Sequence, residues 1–115
     1  MSLMRVEVIT SQAKLDGFIR EINRLGITGM TVTQGLGCGV QKGTFEYEEE
    51  INKEIRLLPK QIIMMIVEKN SLDKILEAIK KELYTGHIGD GKIVISEVSN
   101  IIRVRTGVEG EEALK

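Results

Sequence analysis

The sequence predicts an α+β sandwich in the order βαββαβ, with two helices packed on one face of a four-stranded antiparallel sheet. Three observations carry that reading. Stretches around Val6, Val32, Met64 and Ile95 alternate apolar and polar residues or run apolar without interruption, as strands do. Stretches around Phe18 and Ile79 repeat apolar residues at three- and four-residue steps, the spacing of one helix face. The helical stretches follow the first and third strands. A chain of 115 residues with 42% hydrophobic content makes one domain with a modest core, and 3% aromatics without Trp make that core aliphatic and rich in Met.

In chain order, Met1-Ser2-Leu3 read as a vector-derived extension before a natural start at Met4, so the domain is taken as residues 4–115. Met4 to Thr10 alternate, with Met4, Val6 and Val8 on one parity, and form the first strand. Ser11 is a candidate N-cap for a helix whose stripe is Leu15, Phe18, Ile19, Ile22 and Leu25, and Gly26 stops it. Gly17 inside that helix costs about 1 kcal/mol against alanine, so tertiary packing has to hold it. The β-branched stretch Ile27 to Leu36 is the second strand. From 37 to 58 no period survives, and a loop of that length in so small a domain is functional or disordered; its acidic run also fits a solvated face. Pro59 closes the loop, and Lys60 to Val67 read as a central strand covered on both faces. Asn70 or Ser71 caps a second helix with the stripe Leu72, Ile75, Leu76, Ile79 and Leu83. Lys92 to Val98 is the fourth strand, Ile101 to Thr106 a short fifth extended segment, and 107–115 a mobile tail. This order suits a ferredoxin-like fold, whose helix-free face still carries apolar side chains for self-association to cover.

Composition excludes several roles. Sixteen basic against seventeen acidic residues leave a formal charge of −1, so no global field attracts nucleic acid or anionic lipid, and base-stacking aromatics are lacking. No apolar run is long enough to cross a bilayer and no amino-terminal leader pattern is present, so a cytoplasmic protein without direct membrane insertion is expected. Cys38, the only cysteine, excludes an intrachain disulfide. His87, the only histidine, has no paired thiol or second imidazole for a metal site.

The stretch richest in chemistry is Thr85-Gly86-His87-Ile88-Gly89-Asp90-Gly91-Lys92. Its three glycines allow main-chain N–H groups to lie against an anion that Lys92 then neutralises. Equally, Gly86 can end a helix and Asp90-Gly91 can form a hairpin turn. Arg103 and Arg105 follow in Ile-Arg-Val-Arg-Thr-Gly and leave one face if that segment is a strand. If the face looks back toward the glycine turn, one lysine and two arginines converge on a pocket suited to polyphosphate.

Five blocks in this order and spacing resemble the nitrogen-regulatory PII signalling proteins: Gly26-Ile27-Thr28-Gly29-Met30-Thr31-Val32-Thr33, Gln41-Lys42-Gly43, Leu57-Leu58-Pro59-Lys60, Thr85 to Ile93, and Ile102-Arg103-Val104-Arg105-Thr106-Gly107. The resemblance runs from Met4 to Leu114. It implies a cytosolic homotrimer of ferredoxin-like subunits that binds ATP or ADP between subunits, and 2-oxoglutarate through magnesium held by ATP. A long T-loop, residues 37–58 here, then docks on target proteins. By position, Gly89, Asp90, Gly91 and Lys92 line the phosphate turn, Arg103 and Arg105 reach the phosphates, and Thr31 lies near the base. Gly37, Gly39 and Gly43 admit close backbone approach, Gln41 ligates magnesium, and Lys60 pairs with the distal carboxylate of the oxo-acid. Read without the resemblance, Lys60 is also consistent with a charged strand-edge gatekeeper and Gln41 with a loop polar residue.

Three departures from the family pattern stand out. The position after Gly39, an arginine that touches ATP phosphates in the family, is Val40, and losing one charged hydrogen bond weakens binding by about 1.5–3 kcal/mol. The T-loop tyrosine uridylylated in enterobacterial relatives falls at Lys53, where that chemistry cannot occur; Tyr47 is a speculative substitute elsewhere in the loop. The tip carries Glu48-Glu49-Glu50 where relatives present an arginine that plugs ammonium channels, so the expected target is a different protein. The expected activity is non-enzymatic signalling in nitrogen metabolism. The alternatives are a relative that senses adenylate charge or a small anion without a response to 2-oxoglutarate, and, lower, a weak ATPase using Asp90 as base.

Overall fold

The computed structural model describes residues 2–11, 15–40, 55–86 and 91–115. Its elements are β1 (Leu3–Ser11), α1 (Asp16–Arg24), β2 (Thr31–Val40), β3 (Ile55–Glu68), a 3-10 turn (Lys69–Ser71) leading into α2 (Leu72–Leu83), β4 (Lys92–Val98) and a second 3-10 turn (Gly110–Leu114). The strands form one sheet in the order β2-β3-β1-β4, and each neighbouring pair is antiparallel. Each helix joins strands that are not neighbours: α1 takes the chain from β1 past β3 to β2, and α2 from β3 past β1 to β4. This is the ferredoxin-like arrangement that the order of patterns predicts.

Register decides which face each residue joins. Val6 lies between Met65 and Ile95, and Val8 between Ile63 and Ile93. The rows Met4–Val67, Val6–Met65 and Val8–Ile63 are buried with Phe18 and Ile22 of α1 and Ile75, Ala78, Ile79 and Leu83 of α2. Burying aliphatic side chains of this size contributes about 1.5–3 kcal/mol each, which holds both helices to the sheet. The opposite face carries Ile62, Met64 and Ile66, half-buried, and Val94, 46% exposed. Between them on β1 lies the Arg5–Glu7 ion pair at 2.7 Å, so this face, covered by neither helix, mixes apolar side chains with a charged pair.

Several boundaries differ from the sequence reading. Leu3, read as vector-derived, is 2% exposed and pairs with both Glu68 and Val98. Ser11 is the last residue of β1 instead of a helix cap, and Leu15 stands at the N-cap without a side-chain bond. Ser71 occupies the N-cap of α2 but its hydroxyl accepts no capping bond, because a 3-10 turn already leads the chain in. α2 ends at Leu83, three residues ahead of Gly86, where Tyr84 turns extended. β4 keeps its predicted bounds.

The larger correction concerns the loop. β2 starts at Thr31 and runs to Val40, and β3 starts at Ile55, so both ends of the 37–58 segment are strand. Residues 41–54 lie outside the described residues. Pro59 sits inside β3, paired with Leu36 on β2. β1 stops opposite Lys60, so β3 has a single neighbour at Pro59 and a residue lacking an N–H is tolerated there. The expected fifth strand is also absent: one bridge joins Ile102 to Glu109, and residues 104–106 form a turn closed by Gly107 N–H donating to the Arg103 carbonyl at 2.8 Å. The tail beyond it carries the second 3-10 turn.

Gly91 leads into β4 at φ +84°, and a Cβ there meets the Ile9 carbonyl oxygen at 1.7 Å. Gly91→Ala is expected to lower stability by more than about 2 kcal/mol in urea unfolding. Gly29→Ala, where a Cβ meets nothing within 4 Å, is expected to stay within about 1 kcal/mol of the parent.

Candidate ligand-binding site

Strand alternation assembles one half of the site on the helix-free face. Along β2 that face takes Thr31, Thr33, Gly35, Gly37 and Gly39; directly across, β3 lays Met64, Ile62, Lys60, Leu58 and Arg56. Lys60 also pairs with Ser11, and Ile9, two residues back on β1, pairs with Lys92. Lys60 and Lys92 thus stand on one face at one end of the sheet, next to the Gly91 turn. Among the described residues neither side chain makes a hydrogen bond or ion pair. A Cβ on Gly37 meets Lys60 Cγ at 3.0 Å and its Cε at 3.6 Å, so the lysine stem lies across the bare backbone of Gly37. Main chain without side chains beside two unpaired ammonium groups is a surface for an oxyanion.

The second half lies at the other end. β2 begins opposite Met64, which leaves one edge of Met65–Glu68 without a strand neighbour. A cleft of about 580 Å³ runs along that edge, walled by the 25–31 segment on one side and by Ile101 and Ala113–Lys115 on the other. An open strand edge offers main-chain donors and acceptors in alternation, and Ile27, Met30 and Ile66 add apolar walls, which suits a flat heterocycle. Thr31 belongs to this cleft.

Arg103 attends this second end. Arg103 is half-buried, and its guanidinium donates to the main-chain oxygens of Glu112 at 3.3 Å, Ala113 at 3.4 Å and Lys115. Arg105 is exposed in the turn, beside Val104 at 98% exposure. The expectation that Arg103 and Arg105 leave one face of a strand is therefore corrected, since residues 104–106 form a turn. β4 carries the chain seven residues, about 20 Å, from Lys92 before the arginine turn begins. Of the other predicted residues, Gln41, Gly89 and Asp90, together with Lys53, Tyr47 and His87, lie outside the described residues. Cys38 is exposed and free on β2, paired with Leu57.

Sequence reading missed two parts of this arrangement. The β3 edge at Met65–Glu68 carries no signal of its own, since an unpaired edge depends on where β2 begins. Arg56 was detectable: it shares parity with Lys60 four residues on, just as Gly35, Gly37 and Gly39 share parity on β2. The C-terminal turn depends on Arg103 for its anchorage, so Arg103→Ala is expected to accelerate amide hydrogen exchange at Ala113 and Lys115 at least severalfold. Exchange at Val6 and Ile63 should be unaltered.

Residues 3–108 match the family model described as nitrogen regulatory protein P-II. The chain is 39% identical to the nitrogen regulatory protein P-II of Pasteurella multocida over 97% of its own length and 100% of the relative. It is 38% identical to the nitrogen regulatory protein GlnK of Escherichia coli K12, covering 95% of this chain and 97% of that one. Among solved structures, the ATP complex of Bacillus subtilis GlnK superposes with a TM-score of 0.82 at 35% identity, covering 98% of both chains. Arabidopsis thaliana PII bound to citrate superposes at 0.76 with 29% identity, covering 97% of this chain and 92% of that one. With a matching model over nearly all its length and relatives of this similarity, the chain belongs to the nitrogen regulatory P-II family.

Proposed function

We propose that the protein is a cytoplasmic, non-enzymatic signalling subunit that assembles as a homotrimer and binds ATP or ADP between subunits. The observation that carries this reading is the separation of the site into two halves at opposite ends of one sheet. Glycines 35, 37, 39 and 91 with Lys60 and Lys92 stand at one end, and at the other the edge cleft, whose Ala113–Lys115 wall is bonded by Arg103. A neighbouring copy is needed to bring such halves together, and the apolar side chains of the helix-free face, Ile62, Met64, Ile66 and Val94, support assembly by offering area to bury around the Arg5–Glu7 pair. That relatives are known as an ATP complex and bound to citrate supports nucleotide and small-carboxylate ligands.

In this reading the base lies in the cleft with Thr31, and the phosphates lie against Gly89, Asp90, Gly91 and Lys92 of one subunit and Arg103 and Arg105 of the next. Gly37 and Gly39 admit the ligand to the main chain. Among the described residues no three of His, Cys, Asp or Glu come together to hold a metal ion. A magnesium ion here would take phosphate and oxo-acid oxygens as its main ligands, with Gln41 adding its amide oxygen. Magnesium would supply the positive charge that lets a dicarboxylate sit beside a triphosphate. Lys60 holds the far carboxylate of 2-oxoglutarate. Occupancy selects the arrangement of the T-loop, which regulates a target protein in nitrogen metabolism. The acidic Glu48-Glu49-Glu50 favours a target other than an ammonium channel.

Calorimetric titration tests the whole reading. MgATP is expected to bind, 2-oxoglutarate to bind only in its presence, and Lys92→Gln to weaken MgATP about tenfold or more. The sedimentation mass should be three chains. If nucleotide binds and the oxo-acid does not, the protein is an adenylate-reading relative; a monomer that binds no nucleotide refutes the proposal.

A further inference from the structure

The glycine face of the β2–β3 ribbon carries one more cation than the proposed ligand set uses. Arg56 pairs directly with Gly39, two positions beyond the Gly37–Leu58 pair and four residues along β3 from Lys60. Directly opposed residues of an antiparallel pair share a face, so Arg56 stands on the side that presents Gly35, Gly37, Gly39 and Lys60. It is exposed. The stem of Lys60 lies over Gly37, the neighbour of Gly39 on that face, and therefore leans along the ribbon toward Arg56. The two cations approach the same bare stretch of main chain from its two ends. Val40, which follows Gly39, brings no charge.

We propose that Arg56 is an oxyanion-binding residue of this site, closing over the glycine row from the side opposite Lys60. The proposal rests on the nucleotide reading above. The ligand group it takes is the terminal phosphate of a nucleotide or a carboxylate of the companion acid, and a guanidinium suits both because its planar fork donates two parallel hydrogen bonds. The chain thus draws from β3 the positive charge that Val40 does not provide on β2.

The test is titration of the purified full chain and of the variants Arg56→Gln, Arg56→Lys, Lys92→Gln and the double variant Val40→Arg/Arg56→Gln with MgATP, MgADP and, under saturating MgATP, 2-oxoglutarate. Far-ultraviolet circular dichroism and sedimentation verify that each variant keeps its fold and assembly. Arg56→Gln is expected to weaken one ligand ten- to hundredfold. Selective loss of MgATP over MgADP assigns the terminal phosphate, and loss of the oxo-acid alone assigns the carboxylate. Arg56→Lys should recover only part of the loss, and the double variant should recover affinity by restoring a cation on the ribbon. If Arg56→Gln binds all three ligands within twofold of the parent while Lys92→Gln loses nucleotide, the role of Arg56 is refuted and the nucleotide reading stands. If the parent itself binds no nucleotide, both fall.

Discussion

β1 is hydrogen-bonded along both edges, to β3 on one side and β4 on the other, and every other part of the chain takes its place from that strand. Its alternation sends Met4, Val6 and Val8 toward the helices, and the ladders force Val67, Met65 and Ile63 to the same side. A slip of one residue would turn these rows to the other face and leave the helices nothing to pack on. The same ladders set Lys92 opposite Ile9 and Lys60 opposite Ser11, so burial of the core and the meeting of two cations follow from one register.

Where β1 ends, the character of the sheet changes. Beyond Ser11, β3 continues with only β2 beside it, and this two-stranded ribbon extends as far as Ile55 and Val40. Two strands bury little, and such a ribbon relies on its attachment to the sheet for order. Its composition is two-sided. Leu36, Cys38, Leu57 and Pro59 fall on one parity, and the glycines with Arg56, Leu58 and Lys60 on the other. The glycine parity offers main chain and positive charge, a combination that serves anion binding and contributes little to packing.

The other end of the molecule is organised by Arg103. Its guanidinium gathers main-chain oxygens of Glu112, Ala113 and Lys115, and so draws the C-terminal turn to the wall of the cleft beside the open β3 edge. In the proposed assembly this arginine serves a phosphate, so the C-terminal turn and a nucleotide draw on the same donors. Charge on Arg103 is thus tied to the shape of the cleft beside it.

Element order, core and family were all legible along the chain. Apolar residues at strand and helix periods are read directly from the chain, and burial follows them: Phe18, Ile22, Ile75, Ile79, Val6 and Val8 were all legible as core. Lys92, Arg103 and Arg105 were legible as cations of interest. Their separation was not, because convergence depends on how far β4 carries the chain and on the turn at residues 104–106, neither of which has a hydropathy signature. The strand character of Gly35 to Val40 was hidden for a related reason. Glycine alternation leaves no apolar pattern, and those residues are extended because β3 pairs with them. Tertiary structure alone decided that Lys60 crosses Gly37, that Arg56 faces Gly39, and that the two halves of the site stand a strand length apart. Each follows from cross-strand register and from where one strand outlasts its neighbour, relations between distant segments that a reading along one segment does not contain.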